Sequence, residues 1–206
     1  MISGATDYDR TLPKEWRWVK LGEVMASTLG SVDPSKAHDE VFILYSVPAF
    51  DQREPEVRPG RKIGSTKQVV QAGDVLLSKM VPHIRRSWVV SEHSGSRIIA
   101  SGEWIVFRSE IVWPDYLRHV LVSDDFHEEF MRTTSGVGGS LTRARPALVA
   151  NISIPLPPLP EQKRIAAIVN EQMAAVERAR KAAEDELAAI NAMPAALLRR
   201  AFMGEL

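Results

Sequence analysis

The sequence predicts an α+β protein: one mixed α/β domain over residues 1–154, then a long C-terminal helix that pairs as a coiled coil. Two observations predict it. Residues 1–154 hold nearly all the aromatics and glycines, in short β-branched runs set between polar turns. Residues 161–206 contain one proline and one glycine and are rich in Ala, Glu, Arg and Leu, which is helix composition. Between the two regimes lies Ile154-Pro-Leu-Pro-Pro-Leu-Pro160, whose prolines fix φ and remove backbone donors. Residues 155–160 therefore read as an extended, stiff connector.

In chain order, Glu40–Val47 (EVFILYSV) reads as a buried strand. Gln68–Val70 and Asp74–Leu77 read as strands around a Gly73-Asp74 turn. Trp88–Val90, Arg97–Ile99 and Glu103–Phe107 continue the strand pattern, and Trp88 and Trp104 within it are expected in the core. Trp16 and Trp18 are expected to pack rather than to stack on a ligand. Pro114 opens a helical signal in which Leu117, Val120, Leu121 and Phe130 recur on one face. A flexible glycine-rich stretch, Ser135–Ser140, and a short strand near Ile152–Ile154 close the domain.

The C-terminal helix carries a register. Counting in sevens from Val169 gives Val169, Val176, Ala183, Ile190 and Leu197. The positions four later are Met173, Arg180, Leu187, Pro194 and Ala201. This is an a/d seam with one charged interruption, and Pro194 is expected to kink or restart the helix. Pro160 suits a first helical turn and Glu161 the positive end of the dipole. The straight part, to Met193, would reach roughly 50 Å. An amphipathic helix folded back on its own domain would explain the length alone. The seven-residue repeat favours a partner helix, with Val169, Met173, Val176, Ala183, Leu187, Ile190 and Leu197 at the interface.

Composition narrows the function. Hydrophobic residues make up 45% and charged residues 25%, with no cysteine, so disulfides and thiolate metal sites are excluded. No apolar h-region or bilayer-length run is present, so a soluble cytoplasmic protein with no membrane association is expected. Acids and bases balance at 26 each, but unevenly along the chain. Residues 51–100 hold nine Lys/Arg against five acids, and residues 130–160 hold three arginines and no acid. That segregation permits a basic face. Three segments could supply it. Arg53, Arg58, Arg61 and Lys62 lie in a loop punctuated by Pro and Gly. Ser78, Lys79, Arg85 and Arg86 follow a strand directly. Arg143 and Arg145 end the glycine-rich stretch. Arg and Lys suit guanine edges and phosphates, and a hydroxyl suits either. The five histidines show no metal-ligand spacing and read as surface or capping residues, so no metal site is expected. Gly60–Lys67 lacks the GK[ST] ending of a P-loop. No GxGxxG, no Asn-Pro-Pro and no nucleophile elbow occur, so the chain is not expected to be an enzyme.

The segment Ile154-Pro-Leu-Pro-Pro-Leu-Pro-Glu-Gln-Lys-Arg-Ile165 resembles the junction of recognition domain and long helix in the specificity subunits of type I restriction–modification enzymes. Ala196–Leu206 resembles the way those helices end, and Leu12–Glu23 is similar to the lead-in to a recognition domain. Gly73–Lys79 and Tyr116–Ser123 resemble segments inside it. The family's usual subunit has two recognition domains and two helices, packed antiparallel, whereas this chain has one of each. The resemblance implies a half-size subunit with a target recognition domain at 1–154 and a helix at 161–206 for dimerisation and subunit docking. It implies a homodimer that reads a symmetric, bipartite site in double-stranded DNA, with helix length setting the gap. Implied partners are modification subunits using S-adenosylmethionine and restriction subunits using ATP and Mg, with those cofactors in the partners. The near-zero net charge leaves a rival open: an interaction module that mimics a half subunit without reading DNA.

Overall fold

The computed structural model describes residues 12–136 and 142–204. Two compact units divide the chain, residues 1–163 and residues 164–206.

The first unit is closed by its outermost strands. β1 (Arg17–Lys20) pairs antiparallel with β12 (Ser153–Leu156), setting Val19 opposite Ile154. Both point inward and are fully buried, whereas Trp18, expected to pack, lies on the outward face and is 36% exposed. Between these strands lie two sheets. The larger joins β2 (Ser31–Val32), β5 (Lys67–Val69), β8 (Arg97–Ala100), β3 (Val41–Tyr45) and β4 (Glu56–Pro59) in that spatial order. Only β3 and β8 run parallel. The smaller places β6 (Val75–Ser78) between β7 (Ser87–Val89) and β9 (Trp104–Phe107), all antiparallel.

Strand β3 is an unbroken apolar run because both of its faces are covered. Ile43 and Tyr45 join Leu76, Val90, Trp104 and Val106 of the smaller sheet in one core. Phe42 and Leu44 pack on the other side with Ile63 and Ile99. The polar handles of the large aromatics are satisfied inside: Trp104 Nε1 donates to the Tyr45 carbonyl at 2.9 Å, and the Tyr45 hydroxyl accepts from the Ser91 amide at 2.9 Å. Trp104 is thus core as expected, and Trp88 packs edge-on to Tyr45 at its margin. Gly60 follows β4 where no other residue fits, since an added Cβ would lie 2.2 Å from the Ala37 carbonyl oxygen.

A short α1 (Val47–Asp51) follows β3, N-capped by Ser46. The helical signal from Pro114 resolves into two helices, α2 (Pro114–Val120) and α3 (Asp124–Arg132). Ser123 breaks them, its hydroxyl accepting from the Phe126 amide while Asp124 and Asp125 occupy the first turn. The apolar spacing continues across the break, so Leu117, Leu121, Phe126 and Phe130 are all buried. The hairpin of β10 (Thr134–Ser135) and β11 (Arg143–Ala144) follows, then α4 (Pro146–Val149).

The connector expected over 155–160 is shorter than the prolines suggest. Pro155 and Leu156 belong to β12, where a proline is tolerated because only one strand neighbours it. Helix α5 (Leu159–Phe202) already begins at Leu159. Its first turn is locked into the first unit by Gln162, which is 1% exposed. Gln162 accepts from the Trp113 amide at 2.7 Å and donates to the Ile111 and Pro157 carbonyls at 3.0 and 2.8 Å. The Lys163 ammonium covers the Trp113 ring at 4.6 Å.

The second unit is helical through Phe202, and the helix passes through Pro194 instead of restarting there. The seam residues Met173, Val176, Leu187, Ile190 and Leu197 are 50–59% exposed. The charged interruption, Arg180, is held along the helix by Glu177 and Glu184, an i,i+3 and an i,i+4 pair.

Replacing Gln162 with Leu should destabilise the chain by roughly 2–4 kcal/mol in chemical denaturation, since three buried backbone groups lose their partner. A loss below the experimental error would show that water replaces the amide.

Candidate nucleic-acid interface

The residues that could carry DNA contact are positioned from β6 outward. Ser78 ends that strand at 1% exposure, and its hydroxyl accepts from the Met80 amide and donates to the Met80 carbonyl. It shapes a turn and is sealed from any ligand, which corrects the expectation of a DNA-contacting hydroxyl. The chain then runs out through Lys79 and Met80 into a turn at residues 81–84, closed by the Ile84 amide donating to the Val81 carbonyl at 3.0 Å.

Val81 has φ +51°, in the left-handed region that a β-branched residue adopts only under constraint, at a cost on the order of 1–3 kcal/mol. The constraint comes from the β10–β11 hairpin and from the turn between β8 and β9. The Val81 amide donates to the Thr142 carbonyl at 3.0 Å, and the Ala144 amide to the Lys79 carbonyl at 2.8 Å. Met80 bridges Arg143, and the Lys79 amide donates to the Glu103 carbonyl at 3.0 Å. The far side of the turn is equally fixed. Arg85 donates to the Val122 carbonyl at 3.1 Å and to Asp124 at 2.6 Å. Arg86 forks onto Asp51 at 2.9 and 3.1 Å.

Arg85 and Arg86 are therefore not equivalent. Arg85 is exposed, whereas the Arg86 side chain is only 10% exposed and ties the turn to α1. Arg86 leaves the set of expected DNA contacts for that reason. Its guanidinium holds the Asp51 carboxyl below the ordinary carboxylate range, chiefly by hydrogen bonding and against a pull from desolvation.

The remaining candidates divide by position. Arg143 is exposed and rests on Glu103 at 3.2 Å. Arg145 is exposed, and its amide is anchored to the Thr133 carbonyl. Lys79 and Arg145 make no ion pair among the described residues. Arg53 follows Asp51 by two residues, is exposed, and adopts φ +60°. Lys79, Arg85, Arg143 and Arg145 lie on segments bonded to the residue 81–84 turn or directly continuing it, and Arg53 follows α1, to which Arg86 ties that turn. Arg58, Arg61 and Lys62 lie along β4 toward the N-terminal end of β3, because Val41 faces Pro59 in the antiparallel register. Arg58 pairs with Glu56, and Arg61 with Asp39 at 3.1 Å. Of the glycine-rich stretch, residues 137–141 lie outside the described residues.

Residue type alone did not mark His83 and Ile84, which complete the turn, or the carboxylates Asp51, Glu103 and Asp124 that pair with the arginines. His127 is near the turn as well, its imidazole held below its ordinary value first by desolvation and then by the charge of Arg85. No group of three or more metal-ligating side chains occurs among the described residues. No described helix is long and apolar enough to cross a membrane.

Among solved structures, the chain matches the HsdS subunit from Thermoanaerobacter tengcongensis at 30% identity and a TM-score of 0.72, over 85% of this chain and 46% of that one. It also matches a chain from work described as the structural basis underlying complex assembly and conformational transition of the type I R-M system. There the identity is 29% and the TM-score 0.71, over 95% of this chain and 50% of the other. The chain thus spans about half the length of the structures it matches. No protein-family model and no curated protein matches it. The chain is a half-length relative of the HsdS specificity subunits, in agreement with the resemblance read from its motifs.

Replacing Asp51 with Asn should cost roughly 1.5 kcal/mol at neutral pH, a modest figure because Asp51 is half-exposed. Since the folded carboxyl titrates below its unfolded value of 3.8, the pair's contribution is complete above that value. It should fade as pH falls through the lower folded value. Urea denaturation of both proteins from pH 7 to pH 2.5 checks this; a difference independent of pH would contradict it.

Proposed function

We propose that this chain is a sequence-specific DNA-recognition subunit of a type I restriction–modification system. The observation that carries the reading is that Lys79, Arg85, Arg143 and Arg145 lie on segments hydrogen-bonded to, or directly continuing, one rigid turn in an HsdS-like domain. Exposed cations on a fixed backbone suit phosphate contacts, which set register on a duplex. The exposed seam on α5 supports self-pairing, so that two copies read a symmetric, bipartite site with the helices setting its spacing. The likeness to a chain from a type I assembly supports docking onto modification and restriction subunits. S-adenosylmethionine, ATP and Mg are proposed to reside in those partners, and this chain to be non-catalytic and cytoplasmic.

One observation favours a second reading. Arg85 and Arg143 rest on Asp124 and Glu103, and the net charge is zero. A chain with its cations so neutralised could occupy modification subunits as a half-subunit mimic without reading DNA. Random-sequence selection with the full chain, alone and mixed with its modification subunit, separates the two. An enriched two-part symmetric motif is expected, and no enrichment in either format would favour the mimic.

Lys79→Ala and Arg145→Ala should each weaken binding to all sequences alike and lower the salt-dependence slope by about one. An unaltered slope in both would remove this face from the interface. Ile190→Glu should abolish self-association in sedimentation across a concentration range, and a parent chain monomeric throughout would exclude the homodimer.

A further inference from the structure

We propose that Ile84, the exposed residue that closes the residue 81–84 turn, is a specificity-determining residue that reads the 5-methyl group of a thymine in the major groove. The inference rests on DNA reading by the basic face and names one base feature that this face would recognise.

On the leading side of the turn, Lys79 is anchored to Glu103 and Ala144, and Val81 to Thr142. On its trailing side, Arg85 is anchored to Asp124 and Val122, and Arg86 to Asp51. Pro82, the second residue of the turn, is buried and fixes φ there. His83, the third residue of the turn, and Ile84, which closes it, are both exposed, Ile84 at 42%. The backbone strain at Val81 is kept by anchors on either side of it. Such strain persists where the surroundings over-determine a conformation, and it gathers at binding sites.

The chemistry of Ile84 selects the ligand feature. The turn it closes is bonded to the segments that carry Lys79, Arg85 and Arg143, and the isoleucine itself offers no hydrogen bond. On a duplex seated against this face, phosphates would meet the cations and a base edge would meet Ile84. The major groove displays donors and acceptors at every base pair but only one apolar group, the thymine methyl. A single β-turn is narrow enough to enter that groove, which is about 12 Å wide. The sec-butyl group of Ile84 has the size and polarity to cover that methyl. Being on a rigid turn, it would do so without ordering a loop on binding.

The test starts from the motif enriched by the full chain, in whichever format yields one. Each thymine of that motif is replaced in turn by deoxyuridine, which removes the methyl alone. At one position the parent chain should lose affinity about fourfold, the factor that corresponds to about 0.8 kcal/mol for one buried carbon. Ile84→Ala should bind thymine and uracil at that position within about 1.5-fold, and Ile84→Val should fall between. Lys79→Ala should weaken both duplexes while keeping the parent's fourfold ratio. Ile84 is exposed, so a matching thermal transition will show that the variants fold. A parent chain indifferent to every thymine-to-uracil change, or an Ile84→Ala chain that keeps the ratio, overturns the assignment while leaving DNA reading intact. An absence of any enriched motif overturns DNA reading itself and this inference with it.

Discussion

The pairing of β1 with β12 is the constraint on which the first unit depends. These strands stand at opposite ends of the domain sequence, and their union turns everything between them into a closed loop. Closing a long loop costs only slightly more than closing a short one, so a four-residue ladder with Val19, Ile154 and Leu156 buried beneath it suffices. Further bonds reinforce it. The Leu21 and Gly22 amides donate to the Ile152 and Ala150 carbonyls, and the Tyr116 hydroxyl donates to the Pro155 carbonyl at 2.7 Å. Burial pushes that hydroxyl well above its ordinary pKa, so it remains a donor. Gln162 then fastens the first turn of α5 to Ile111, Trp113 and Pro157, continuing the closure into the helix.

The same economy explains how irregular segments hold a defined surface. The basic turn has no regular structure of its own, yet contacts from the β8–β9 turn, α1, the α2–α3 joint and the hairpin fix both its flanks. The turn borrows its rigidity from the sheets. That is the usual division between a scaffold and the loops that carry recognition.

Much of the fold was legible in the sequence because apolar runs report burial. EVFILYSV and DVLLS read as strands; Val41–Tyr45 and Val75–Ser78 are strands, while Ser46 caps and Val47 opens α1. The seam on α5 was legible from its repeat, and the PEQK motif is explained by what Gln162 and Lys163 touch. The basic face was legible only as composition. Arg85 and Arg86 look alike in sequence, yet successive residues entering a strand point to opposite sides. Which one was buried depended on Asp51, 35 positions away. Ser78 failed as a contact for the same reason, since its hydroxyl was spent on Met80. The prolines at 155 and 157 advertised a strut, but an edge position in a two-stranded ladder asks only that a residue be extended. Proline is extended by nature.

The carboxylates beside the basic face bear on the search for a target as well as on the final complex. Asp124 and Glu103 already occupy the guanidinium groups of Arg85 and Arg143, so a phosphate must displace an acid that is always within reach. If the chain reads DNA as proposed, on random duplex the exchange would gain little and the molecule would let go quickly. At a matched site the contacts made from the rigid turn would come in addition. A subunit of zero net charge would then spend less of its time on the far more abundant wrong sequences than an openly cationic one. Its selectivity would come from short residence elsewhere as much as from tight binding at home.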